Sequence, residues 1–183
     1  TYRAIEEIAA DPEARKVGQR LFLQNCSQCH GSDARGGRGF PNLTDSEWQW
    51  GGQPDQIKTT IMDGRHGVMA AWGEILGKDG VQEVASYVLS LSGRKVDLVE
   101  AKKGEARFAI CAACHGADAK GGIAVGAPDL TNNIWLYGGS RQVVEQTITH
   151  GRHGVMPAWR DILGEDKVHL LASYVYSLSH NNM

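Results

Sequence analysis

The stretch Cys26-Ser27-Gln28-Cys29-His30 and its counterpart Cys111-Ala112-Ala113-Cys114-His115 use all four cysteines of the chain. In a helical turn, residues three and four apart share a face, so Cys26, Cys29 and His30 project together, as do Cys111, Cys114 and His115. Two thiols and one imidazole on one turn match the covalent attachment of a haem. Each S–H adds across a vinyl group on one edge of the ring, and the imidazole reaches the iron from below. Cys-x-x-Cys pairs also occur as halves of four-cysteine zinc sites, and as redox-active pairs in a βαβ context. The histidine directly after each second cysteine, in a sequence without strand patterns, favours haem over both. Two covalently bound haem c groups are expected.

The motifs belong to a duplication. Residues 41–92 align with 128–179 without a gap, and more than half of the aligned positions are identical. Upstream, small shifts in register bring "CHGSDARGG" onto "CHGADAKGG", and Gly18 and Phe22 onto Gly104 and Phe108. Short insertions of this kind are tolerated in loops.

Each repeat has the same plan. A helix leads into the cysteines, with Asp11 as N-cap and Pro12 at its first position in the first copy. A glycine-rich loop follows that cannot continue the helix. A middle helix has apolar residues four apart, Ile57 and Ile61 or Val144 and Ile148, and stops at Gly64 or Gly151. A last helix carries Val81, Val84, Ala85 and Val88 at helical spacing. The expected fold is all-α: two tandem class I-like cytochrome c domains, each with one covalently attached haem c. The first spans 1–92 with a short helical lead over 1–10, residues 93–100 form a linker, and the second spans 101–183. A domain of 80 to 90 residues buries a modest core, and an apolar cofactor would complete it.

An iron held by one histidine has a sixth position, and what fills it separates electron transfer from ligand binding. The candidates are Met62, His66 and Met69 in the first repeat, and His150, His153 and Met156 in the second. Met62 aligns with Thr149 and His150 with Asp63, so neither position serves both copies. Met69 and Met156 align within the repeated hexapeptide "GRHGVM", as do His66 and His153. The unbranched, polarizable thioether makes methionine the expected ligand. A soft neutral donor favours ferrous iron, so His/Met ligation implies a comparatively high potential. The metal ligands expected are therefore His30, Met69, His115 and Met156. Arg65 and Arg152 are candidates to pair with haem propionates, and Trp48 and Trp135 to donate indole hydrogen bonds to them.

A formal charge of −2 gives no basic footprint for nucleic acid. No run reaches the ~18 to 20 apolar residues of a membrane helix. Because the chain begins at Thr1, an upstream signal or anchor is an open expectation.

The strings "HGRHGVMPAWRDILGEDKVHLLASYVYSLS", "CAACHGADAKGG" and "NLTDSEW" closely resemble the soluble dihaem portion of the CcoP (FixP) subunit of cbb3-type cytochrome c oxidases, over nearly the whole chain. The resemblance implies Cys26, Cys29, His30 and Met69 around one haem, and Cys111, Cys114, His115 and Met156 around the other. It implies an upstream transmembrane anchor as the only membrane contact, a location on the periplasmic side of the bacterial inner membrane, and no catalysis by the chain on its own. Electrons would come from the cytochrome bc1 complex or a soluble cytochrome c and pass to a monohaem c subunit and the catalytic haem-copper subunit. Ala70 departs from the pattern, in which proline commonly follows the methionine, as Pro157 does. The alternative is a free soluble dihaem carrier resembling the cytochrome c4 type. A dihaem peroxidase needs an open sixth position, which two intact copies of the hexapeptide oppose. A gas sensor needs a signalling region, and none is visible.

Overall fold

The computed structural model describes residues 3–180. In the first repeat, α1 (Ile5–Ala10), α2 (Pro12–Asn25), α3 (Ser27–His30) and α4 (Pro54–Asp63) precede β1 (Arg65–Met69) and α5 (Gly73–Leu91). In the second, α6 (Leu98–Arg107), a 3-10 turn (Phe108–Ile110), α7 (Ala112–His115) and α8 (Arg141–His150) precede β2 (Arg152–Met156), α9 (Arg160–Leu163) and α10 (Glu165–His180).

Local chemistry accounts for the ends of these helices. The Asp11 carboxylate accepts from the backbone N–H groups of Glu13 and Ala14, with Pro12 behind it where no N–H is needed. Asp97 caps α6 in the same way, through Val99 and Glu100. Gly64 (φ 70°) and Gly151 (φ 71°) end α4 and α8 in a backbone region that penalises any Cβ. Gly77 (φ 65°) kinks α5 near its start, and Gly164 (φ 77°) separates α9 from α10 at the equivalent point.

The compact units do not follow the repeats. One unit combines the chain up to Arg65 with the chain from Val155 onward, and the other is His66–Gly154. In the first, α10 packs on α1, α2 and α4; in the second, α5 packs on α6 and α8. Each unit thus takes its leading helices from one repeat and its last helix from the other. The division at 1–92 and 101–183 describes the duplicated sequence, whereas the packing divides inside β1 and β2. Of the expected linker 93–100, residues 98–100 already form the first turn of α6, capped by Asp97, and the rest joins α5 to α6 within a single unit.

Glycine at a helix crossing explains the tightness of each union. A Cβ on Gly18 of α2 would come within 2.5 Å of the Tyr174 Cβ on α10, and one on Gly104 of α6 within 1.9 Å of the Glu83 carbonyl oxygen on α5. Aromatic pairs lie on the same helices, Phe22 with Tyr174 at 5.6 Å between ring centroids and Tyr87 with Phe108 at 5.2 Å. Around Phe22 gather Ile57, Ile61, Val168, Leu171 and Val175; around Phe108 gather Val81, Val84, Val88, Val144 and Ile148. Each such side chain contributes roughly 1.5–3 kcal/mol on burial.

The all-α expectation needs one correction, since β1 and β2 form a two-stranded sheet. The start of each strand lies against the end of the other. A Cβ on Gly64 would come within 2.4 Å of the Met156 carbonyl oxygen, and one on Gly151 within 2.3 Å of that of Met69. Five residues containing a glycine are too few to show a period of two in sequence. Gly67 and Gly154 sit inside these strands, so only the first glycine of each hexapeptide makes the turn.

Replacing Gly104 with valine should lower the unfolding free energy by about 1–3 kcal/mol or more through overpacking at the α5–α6 crossing. Gly37→Ala, where an added Cβ meets nothing within 4 Å, should stay within about 0.5 kcal/mol. Denaturant titration of the two variants checks both values.

Candidate haem c sites

Each site starts where a helix hands over to a single further turn. The Cys26 N–H closes α2 on the Phe22 carbonyl at 2.8 Å, and the His30 N–H reaches back to the Cys26 carbonyl at 3.0 Å. In the second copy the His115 N–H donates to the Cys111 carbonyl at 3.0 Å. The helical turn expected from the Cys-x-x-Cys-His spacing is therefore present twice, with both thiols and the imidazole on it.

The imidazoles are oriented before any metal arrives. His30 Nδ1 lies 3.1 Å from the Pro41 carbonyl oxygen, and His115 Nδ1 lies 3.1 Å from that of Pro128. A carbonyl only accepts, so Nδ1 carries the proton and Nε2 keeps its lone pair for a metal. Burial pulls both imidazoles below the usual histidine range, against the opposing effect of these carbonyl contacts, and so favours the neutral ring that ligates iron. Nothing in the side chains of Pro41 and Pro128 advertised this role, because backbone oxygens supply it.

The loop after each histidine is drawn in the same way twice. Gly36 N–H donates to the His30 carbonyl at 2.7 Å and Leu43 N–H to the Ala34 carbonyl at 2.8 Å; Gly121 with His115, and Leu130 with Ala119, repeat both bonds at 2.8 Å. Ala34 (φ 60°) and Ala119 (φ 59°) are left-handed and buried, a strain of order 1–3 kcal/mol held at both sites. The loop delivers Pro41 or Pro128 to its imidazole.

Burial pushes the Cys26 thiol up to about 11, with the neighbouring Cys29 sulfur adding to the rise, and Cys111 is raised for the same reasons beside Cys114. Neutral thioether sulfur suits these surroundings better than thiolate does. Among the described residues, no three His, Cys, Asp or Glu side chains gather as a metal cage.

The methionines change partners relative to the repeats. Met156 packs on the core shared by Cys26, Leu43 and Trp159, whereas Met69 packs on the core shared by Cys111, Leu130 and Trp72. The structure thus brings Met156 together with the Cys26–His30 turn and Met69 together with the Cys111–His115 turn. Met62, set aside by the alignment, is a core residue at 5 % exposure. His66, His150 and His153 are exposed.

Neighbouring residues show signals that the motifs alone do not reveal. Arg65 donates through Nε to Thr60 Oγ1 at 2.9 Å and lies over the Trp50 ring at 4.9 Å; Arg152 donates to Thr147 Oγ1 at 2.7 and 3.0 Å and lies over Tyr137 at 4.4 Å. Thr60 aligns with Thr147 and Trp50 with Tyr137, so the duplication carried this information. Trp135 Nε1 is buried with no hydrogen-bond partner. An unmet buried donor beside Cys111 and Met69 fits a core completed by a group that brings its own acceptor.

Duplicated Cys-x-x-Cys-His turns with oriented imidazoles, each in a small helical unit whose core also takes a methionine, fit tandem c-type cytochrome units. The chain belongs to the family described as cytochrome c oxidase, cbb3-type, subunit III, whose model matches residues 13–88 and again 99–175. It is 49 % identical over 178 residues to the cbb3-type cytochrome c oxidase subunit CcoP of Rubrivivax gelatinosus, covering 97 % of this chain and 59 % of that protein. It is 45 % identical over 188 residues to the FixP subunit of Azorhizobium caulinodans, covering 95 % and 64 %. With the CcoP subunit of Cereibacter sphaeroides the identity is 43 % over 187 residues, covering 93 % and 64 %. The chain thus spans about three fifths of the length of these relatives. No helix among its described residues is long and apolar enough to cross a membrane.

Replacing Cys26 and Cys29 together by alanine should halve the covalently bound haem per chain. The pyridine haemochrome assay and haem staining after denaturation measure this directly.

Proposed function

We propose that this chain is the dihaem electron-relay portion of a cbb3-type oxidase subunit. It takes electrons from a periplasmic donor, the cytochrome bc1 complex or a soluble cytochrome c. It passes them by way of a monohaem c subunit toward the haem-copper subunit where oxygen is reduced, and it does no catalysis itself. The chain works on the periplasmic side of the bacterial inner membrane, tethered by a segment outside the residues present. The supporting observation is the duplicated turn in which His30 and His115 are each held by a proline carbonyl with Nε2 available, while the first cysteine of each turn packs on the same core as a methionine. The names of the relatives, all oxidase subunits, favour this over a free dihaem carrier.

Haem c supplies the one-electron centre, its iron alternating between ferric and ferrous. Everything else is done by the chain. Cys26 and Cys29 would hold one haem and Cys111 and Cys114 the other, through thioethers formed by adding each S–H across a vinyl group. His30 and Met156 would hold the iron of the first, and His115 and Met69 that of the second. This exchanges the methionines relative to the pairing within repeats, and the packing of each methionine supports it. Ligands held on packed elements move little when the charge changes, which keeps reorganisation small. The neutral thioether sets both potentials in the higher range open to haem c.

The exchange has a direct test. In a chain whose Cys111 and Cys114 are both alanine, only the haem at Cys26 and Cys29 remains. Met156→Ala in that background should open it to carbon monoxide, with a shifted ferrous Soret band, while Met69→Ala should leave it closed. The opposite outcome restores the pairing within repeats.

A further inference from the structure

The hexapeptide at 64–69 and 151–156 carries a histidine in both copies, and the proposed haem sites employ neither. Arg65, Gly67 and Met69 are half-buried in β1 while His66 and Val68 are exposed; β2 repeats this with His153 and Val155 exposed. Successive side chains of a strand leave on opposite faces, so both histidines lie on the face away from the methionines.

The start of each strand lies against the end of the other. The two copies are thus related by a local twofold axis, and a residue near that axis meets its own duplicate. His66 and His153 do so, with ring centroids 6.4 Å apart and 43° between their planes. Both belong to the His66–Gly154 unit. Among the described residues, neither ring makes a hydrogen bond or ion pair. A neutral imidazole offers one lone pair to a metal. With metal–nitrogen bonds of about 2.0–2.1 Å, two imidazoles sharing one ion have centroids roughly 4.5–6.5 Å apart. The observed separation falls at the wide end of that range, and rotation of exposed side chains can draw the rings closer.

We propose that His66 and His153 together bind one divalent transition-metal ion of the copper(II) or zinc(II) class on the exposed face of the β1–β2 sheet. Imidazole nitrogen suits these ions. Water completes the coordination, since no third His, Cys, Asp or Glu joins the pair among the described residues. Two protein ligands make an open, exchangeable site rather than a closed structural one. Binding displaces water and changes no oxidation state. An ion held by both rings ties β1 to β2.

The test uses the oxidised, haem-loaded protein without an added histidine tag. Equilibrium dialysis against zinc(II) should give one ion per chain. His66→Gln and His153→Gln should each lose that ion with the Soret band unchanged, whereas His150→Gln, which removes another exposed imidazole, should keep it. One equivalent of copper(II) should show nitrogen couplings from two imidazoles in its pulsed EPR spectrum, and from at most one in either of the first two variants. No zinc uptake by the unaltered protein, or uptake that survives either of those substitutions, would overturn the proposal and leave the haem assignment standing. Should a variant fail to retain haem, the copper spectrum of the unaltered protein decides: couplings from two imidazoles support the site, and from fewer overturn it.

Discussion

Everything in this chain depends on the close crossing of a helix that precedes a Cys-x-x-Cys-His turn with a helix that follows a methionine. Gly18 and Gly104 allow it because a Cβ at either would overlap the partner helix. With no side chain between them, the backbones approach closely enough for Phe22 to meet Tyr174 and Phe108 to meet Tyr87. Those aromatic pairs then anchor each core. The partner helix brings its methionine with it, so the choice of crossing partner is also the choice of the methionine that shares the core.

That choice joins helices of opposite repeats. α5 and α10 present nearly the same apolar face, Val81, Ala85 and Val88 in one and Val168, Ala172 and Val175 in the other. Either helix therefore suits either core, and burial alone discriminates weakly between the two connectivities. Short paired strands supply the discrimination. β1 and β2 lead away from α4 and α8, and the Gly64 and Gly151 turns that open them admit no Cβ. Backbone bonds then hold the chain on its far side: Trp72 N–H donates to the Ile148 carbonyl at 2.9 Å, and Trp159 N–H to the Ile61 carbonyl at 3.0 Å. Each proposed haem site consequently draws its cysteines and histidine from one repeat and its methionine from the other. Neither repeat furnishes a complete ligand set by itself.

Much of the site was legible because its chemistry is local. Two thiols and an imidazole on one helical turn form a pattern of five residues, and a ligand position must survive in both copies of a duplication. Met69 and Met156 recur at matching positions, whereas Met62, a core residue, and His150, an exposed one, do not. Helix ends were legible for the same reason, since Asp11, Pro12, Gly64 and Gly151 act on their own backbone. Contacts made by backbone atoms were not legible. The Pro41 and Pro128 carbonyls that orient the imidazoles have no side-chain signature. The threonine and aromatic partners of Arg65 and Arg152 recur at matching positions of the two repeats, but only the fold shows that they touch the arginines.

Sequence by itself determined the duplication, the two Cys-x-x-Cys-His motifs, the helical elements and the choice of candidate ligands. All of these follow from spacing along a continuous stretch, where 3.6 residues per turn or a cap fixes the geometry. Tertiary structure alone decided which methionine shares a core with which Cys-x-x-Cys-His turn, and with it where one compact unit ends and the other begins. Two near-identical helices are interchangeable as sequence. They become distinct only when short strands, tight glycine turns and a side-chain-free helix crossing commit each to a core.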